Sequence, residues 1–276
     1  MPVKLLLFGL VLLAASPAGA AEPSGTIHWM VNGLPPKVIP DGPLKGQGYG
    51  EQQFEWLATH LPHYEHRFET VTPARLWYEM RTAQGICSID IADLPEREQW
   101  AAFSRHWTSL PGYRMVVRKD RVAEFAEFLD ASGAVDLDRL GTNSRLSGIY
   151  VTGRWYMPEV NAFIDSPARK IRMESMSAST RVFEVISSRR ADFSFAALSE
   201  ANYFNYLSET PGDGKVRPSV AMLPIKGGDE QVHGHIACSR DTLGLQVVEE
   251  IDRLLDDEAM WAEFLAPENR WLGEAR

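Results

Sequence analysis

The sequence predicts an α/β protein built as two lobes, each a mostly parallel sheet flanked by helices. Strand-like and helix-like segments alternate from residue 26 to residue 91, and the alternation restarts after residue 112. A late cysteine, Cys238, is available to pair with the early Cys87, which would join both ends of the chain into one unit. An alternating β-α-β order implies parallel strands whose crossover helices cover the sheet. The alternative is a single doubly wound domain. The restart favours a first lobe begun by residues 21–112 and completed by 233–276, with residues 113–232 forming the second.

TIHWMV (26–31) has the β-branched and aromatic content of a buried strand. The Gly- and Pro-rich stretch that follows is loop. EQQFEWLATHL (51–61) places Phe54, Leu57, Ala58 and Leu61 on one helical stripe. HRFETV (66–71) reads as a second strand, and Pro73 opens a helix that Gly85 stops. GICSIDI is a third short strand, and PEREQWAAFS is a short helix or turn. In the second half GYRMVVRKD, SGIYVT, KIRMESM and FSFAAL read as strands. VAEFAEFLDA reads as a helix, GRWYMPEVNAFI as a Gly turn into a helix, and STRVFEVISSRRAD as a helix capped by Ser179 or Thr180. VAMLPI and HGHIACS are extended, and the last segment has helical spacing.

The first residues read as a cleavable export signal over 1–20. Lys4 supplies the positive start, Leu5 to Ala15 the apolar run, and Ala18-Gly19-Ala20 the cleavage pattern. That run is roughly half the ~18 apolar residues a membrane span needs. The formal charge of −9, with scattered basic residues, argues against nucleic-acid binding. Export permits a disulfide between Cys87 and Cys238. Closing so long a loop would contribute on the order of 5 kcal/mol; the alternative is two buried free thiols.

Four stretches, in this order and spacing, resemble the extracellular solute-binding proteins of family 3, the periplasmic class that includes amino-acid binders. They are GQGYGEQQFEWLATHLP, PARLWYEMRTAQGICSI, LPEREQWAAFS and SSRRADFSF. The resemblance implies a two-lobed periplasmic-binding-protein-like fold, its lobes joined by two crossing segments. It further implies capture of a small polar or carboxylate-bearing solute in the interlobe cleft, for delivery to an inner-membrane ABC-type transporter permease. A periplasmic, monomeric protein without cofactor, metal or catalytic residue is the corresponding expectation. Alternatives on the same fold are a dehydratase-like enzyme, with Glu51, Glu79 or Glu200 as its acid or base, and a ligand-sensing subunit for a membrane receptor.

The candidate ligand-binding residues are Trp29, Tyr49, Arg97, Arg154 and Trp155. Arg97 occupies the place of the family's carboxylate-binding arginine, and a guanidinium can clamp a carboxylate with two parallel hydrogen bonds. Leu94 stands where the family has a hydroxyl residue, and Ala92 lacks a side-chain acceptor. The other reading of Arg97 is a salt bridge with Asp93, Glu96 or Glu98. Trp29 and Tyr49 would stack on the solute or pack in the core, whereas Trp77 reads as helix-to-sheet packing. GRWY puts Arg154 and Trp155 at the family's second-lobe helix start. Ala197 stands where amino-acid binders carry an acid for the ligand ammonium, with Glu200 nearby. His60, His63 and His66, and the pair His233 and His235, make a thin case for zinc.

Overall fold

The structure is a computed structural model that describes residues 23–177, 181–210, 218–228 and 231–272. The expected export signal, and Ser179 and Thr180 as a helix cap, lie outside the described residues.

Two five-stranded sheets organise the chain. The first contains β1 (Thr26–Asn32), β2 (Glu65–Val71), β3 (Ile86–Ile91), β4 (Ala101–Leu110) and β10 (Val232–Ser239), in the order β2-β1-β3-β10-β4. The second contains β5 (Arg114–Arg118), β6 (Ser147–Val151), β7 (Arg172–Met176), β8 (Phe193–Ala196) and β9 (Val220–Leu223), in the order β7-β6-β8-β5-β9. In the first sheet β2, β1 and β3 pair in parallel, while β10 runs against both β3 and β4. In the second, β7, β6 and β8 are parallel and β5 runs against both β8 and β9. Each sheet is therefore parallel in all but one strand. The reversed strand is in each case the first to enter a sheet after the chain has crossed from the other. The chain crosses twice, between β4 and β5 and between β9 and β10.

Local chemistry sets the elements. β1 lies between two neighbours; Ile27, Trp29 and Val31 are fully buried on one face and Met30 is buried on the other. Helix α1 (Tyr49–His60) starts where Glu51 Oε2 accepts from the backbone N–H groups of Gly48 (2.8 Å) and Ile39 (3.1 Å). Helix α2 (Pro73–Thr82) is capped by Thr72 Oγ1 and has Pro73 in its first turn. Gly85, at φ 66°, then turns the chain into β3. The second lobe adds α3 (Leu137–Gly141), α4 (Pro158–Asp165), α5 (Val182–Ser187) and α6 (Leu198–Glu209). The chain ends in α7 (Thr242–Leu255), capped by Asp241, and α8 (Glu258–Leu272).

Several elements differ from the sequence expectations. PEREQWAAFS is a turn over 95–100, and the ten-residue strand β4 begins at Ala101. VAEFAEFLDA lies largely in a 3-10 segment, Lys119–Phe128, rather than an α-helix. The helix expected from GRWY onward begins only at Pro158, because Met157 precedes a proline and is held extended. Helix α6 has no counterpart in the sequence reading.

Cys87 and Cys238 face each other across β3 and β10 and are joined by a disulfide, at a sequence separation of 151. Helix α8 packs on α1 of the first lobe and on α6 of the second. Asn202 Nδ2 donates to Trp271 O at 3.0 Å, and Tyr203 meets the Trp271 ring edge-on. A second contact between the lobes is Trp77 Nε1, which donates to Gly153 O at 3.0 Å. The lobes thus touch at two places outside the strands that join them.

Candidate functional site

Between the sheets lies a cavity of about 100 Å³. Its first-lobe wall includes Lys37, Tyr49, Trp77, Asp90 and Arg97; its second-lobe wall includes Tyr113, Arg154, Trp155 and Glu200. Element ends supply most of these groups, as expected of ligands bound at the ends of strands in open α/β sheets.

Asp90 is placed by an irregularity. The β3–β10 register runs His235↔Ile91 and then Ala237↔Ser88, so β3 carries one extra residue at this point. Asp90 takes a left-handed φ of 61° there. A bulge of this kind re-aims a side chain beside a site. The Asp90 carboxylate turns to Lys37 Nζ (2.6 Å) and accepts from Tyr49 Oη (3.1 Å). Burial, then Asp90, raises the Tyr49 pKa well above that of an ordinary phenol, so Tyr49 stays a neutral donor.

Glu200 comes from the first turn of α6 and Arg154 from the turn after β6. They form a buried two-pronged ion pair, with Arg154 Nη1 3.1 Å from Glu200 Oε2 and Nη2 on Oε1. Arg154 also donates to Tyr113 Oη (3.1 Å), and its guanidinium lies 5.0 and 5.1 Å from the Tyr113 and Tyr156 ring centres. Burial opposes the Arg154 charge most strongly, but Glu200, Tyr113 and Tyr156 together outweigh it and hold the pKa above the ordinary arginine range.

Arg97 is differently placed. The turn Leu94–Trp100 closes through Arg97 N to Leu94 O (2.8 Å), and the side chain is 8% exposed. Its guanidinium stacks on the Trp77 ring at 4.2 Å, and Nη1 donates to Ala92 O at 2.8 Å. No carboxylate pairs with it among the described residues. Burial pushes its pKa down, while Glu96, Tyr113 and Asp93 pull it back from a distance. The remaining N–H groups of the fork have no protein acceptor among the described residues. A buried guanidinium in this state favours an incoming anion.

The structure brings Tyr49, Arg97, Arg154 and Trp155 to one cavity. It does not bring Trp29, which is fully buried in the first-lobe core and donates from Nε1 to His66 Nδ1 (3.0 Å). Trp29 sits in the middle of β1 rather than at its end, which points it into the core and corrects its assignment as a candidate. Trp77, read as packing only, carries Arg97 and reaches Gly153. Lys37, Asp90 and Tyr113 were not singled out by the sequence. The positive residue in a Pro-rich loop and the acid at the end of a buried strand were signals, but only the fold joins them. His60, His63 and His66 go to separate partners: Trp56 O, Glu250, and Trp29 with Leu61 O. His233 lines the cleft, whereas His235 Nδ1 lies 2.7 Å from Ser104 O. No group of three potential metal-ligating residues occurs among the described residues.

Behind Asp90, Glu268 of α8 is buried and neither carboxylate oxygen has a hydrogen-bond partner among the described residues. Burial, then the nearby Asp90 charge, raises its pKa from 4.5 to about 8, opposed by Lys37 and by the Gln53 amide, which approaches Glu268 but points its hydrogen bond to Phe264 O. The folded state therefore holds a proton that the unfolded state releases between about pH 4.5 and pH 8. Stability falls as pH rises through that window and is level beyond it. Glu268→Gln is expected to remove this slope. Urea unfolding should then show the variant more stable than wild type at pH 8, by up to a few kcal/mol, and nearly equal at pH 4.5. Parallel pH profiles would show that Glu268 is charged in the folded protein.

No family model and no curated sequence matches the chain. Solved structures do. A mutant of ArgBP from T. maritima is 16% identical, with 91% of this chain and 96% of that chain aligned at a TM-score of 0.64. A putative L-cystine ABC transporter from Listeria monocytogenes is 14% identical, with 91% and 97% aligned at 0.65. The chain has the two-lobed fold of the periplasmic binding proteins. A Salmonella typhimurium periplasmic binding protein described for high arginine specificity is similar over 90% of this chain and 100% of its own, at 15% identity and a TM-score of 0.61. In a periplasmic-binding-protein fold the cavity described above is the interlobe cleft.

Proposed function

We propose that this protein captures a small carboxylate-bearing solute between its lobes and delivers it to an ABC-type permease in the inner membrane. The observation that carries the reading is Arg97, a buried guanidinium that lines the cleft and has no carboxylate partner among the described residues. The solved structures of the same fold, which include binding components of amino-acid ABC transporters, support it. Two hydrogen bonds join the lobes, Trp77 Nε1 to Gly153 O beside the cavity and Asn202 Nδ2 to Trp271 O, and contacts between lobes of this kind suit a fold that holds a ligand between them. The export signal read in residues 1–20 supports a periplasmic location.

The acids considered for an enzyme are otherwise engaged. Glu51 caps α1, Glu79 lies 3.8 Å from Arg75 on the outer face of α2, and Glu200 is tied to Arg154. General acid–base work needs a group free to exchange its proton with substrate. Binding without turnover is the reading these engagements favour.

A ligand that prefers the folded state must stabilise it, by about 2.7 kcal/mol at a hundred times its Kd. In a thermal-shift screen of monocarboxylates, amino acids and polyamines, at least one carboxylate is expected to raise the melting temperature. Silence across the whole screen would overturn the capture reading.

A further inference from the structure

We infer that the solute is a monoanion whose carboxylate has no neighbouring ammonium, an acid of the 2-oxo, 2-hydroxy or des-amino kind rather than an α-amino acid. This rests on the capture reading above and concerns the class of ligand the same cleft accepts.

The charges lining the cleft are Lys37, Arg97 and Arg154 against Asp90 and Glu200. Both carboxylates are already neutralised within their own lobe, Asp90 by Lys37 at 2.6 Å and Glu200 by Arg154 through two prongs. Each pair is held by a tyrosine, Tyr49 on Asp90 and Tyr113 on Arg154. Among the described residues, the Asp, Glu, Lys and Arg side chains that line the cleft therefore leave one charge without an ion-pair partner, the Arg97 guanidinium. A carboxylate on Arg97 completes the balance. A zwitterion would satisfy Arg97 equally well but would bring an ammonium into a desolvated space whose anions are both occupied. A buried unpaired ammonium is heavily disfavoured, and freeing Asp90 or Glu200 to receive it would strand a buried cation instead. Trp77, Trp155 and Leu76 offer the rest of the molecule an apolar surface.

The test is calorimetric titration of the full protein at pH 7 with matched pairs: 3-phenylpropionate against phenylalanine, 4-methylpentanoate against leucine, and lactate against alanine. In at least one pair the acid without the amino group is expected to bind about 100-fold or more tightly than its amino counterpart. Arg154→Met frees Glu200 to accept an ammonium, so in that variant the ratio should fall towards one through a gain in amino-acid binding. Should the variant fail to fold, the wild-type ratio decides alone. Wild-type protein binding an amino acid as tightly as its partner acid would overturn this inference and leave capture standing. Binding of none of the six compounds, together with a silent thermal-shift screen, would remove the capture reading and this inference with it.

Discussion

Arg97→Met is expected to bind the solute at least 100-fold more weakly than wild type, yet to resist urea better when no ligand is present. The two effects have one cause. In the unliganded protein Arg97 is a buried guanidinium with one backbone acceptor, Ala92 O, and a stacked ring, Trp77. Burying an unpaired charge opposes folding. Methionine keeps an apolar stem against Trp77 and removes the charge, so a gain of about 1 kcal/mol is expected even after the cation–ring contact is lost. On binding, the sign reverses. Charge-assisted hydrogen bonds to a buried carboxylate contribute about 2–5 kcal/mol when one partner is removed, which sets the loss in affinity. Arg97→Lys keeps the charge but not the planar fork, and about a tenfold loss is expected. Calorimetric titration and urea unfolding of the same samples measure both. A variant that loses stability and affinity together would assign Arg97 to the scaffold.

Replacing Cys87 and Cys238 by alanine is expected to lower the free energy of unfolding by about 5 kcal/mol, the chain-entropy value for a loop of this length. The disulfide spans 151 residues and encloses β4 and every strand of the second sheet. It thus restricts most of the unfolded chain, and both sulfurs lie in the fully buried centre of the first sheet. Urea unfolding of the variant should match that of wild type treated with a thiol reductant, and both midpoints should lie well below that of untreated wild type. Equal midpoints in all three would show that the bond contributes nothing to stability. Binding provides a second readout, because β3 runs from Cys87 directly to the bulge that positions Asp90.

Local signals explain what was legible beforehand. Pro73 with Thr72 before it starts α2, and Gly85 ends the turn after it; both act within a few residues. The β-α-β-α-β order follows from such signals, and the sheet follows from the order. Helix α6 escaped because LSEANYFNYLSE is buried against both α8 and β9, so its apolar residues do not fall on one stripe. β4 escaped because its first residues, Ala101 and Ala102, carry no strand preference and are held by β10, which arrives some 130 residues later.

The site divides the same way. Arg97 was singled out through the resemblance of LPEREQWAAFS to the family's arginine segment, and the turn Leu94–Trp100 that places it is local. The pairs that shape the cleft could not. Lys37 meets Asp90, and Arg154 meets Glu200, only after strands and helices far apart in the chain have been brought together. Nothing within a few residues of Asp90 announces the bulge, which is a property of the β3–β10 register. Glu268, at the far end of the chain, reads as one more charge on a surface helix until α8 is seen to bury it behind Asp90. Trp29 shows the converse: of its two readings, solute platform or core packing, its place in the middle of β1 selects the core.

The central claim is that a solute carboxylate sits on Arg97 between the closed lobes. A structure of the full protein crystallised with the carboxylate that stabilises it most tests this directly. The account predicts that the ligand oxygens lie about 2.7–3.0 Å from the Arg97 guanidinium, with the Lys37–Asp90 and Arg154–Glu200 pairs intact on either side. A ligand bound elsewhere, with Arg97 still resting on Trp77 and no anion in the cleft, would contradict it.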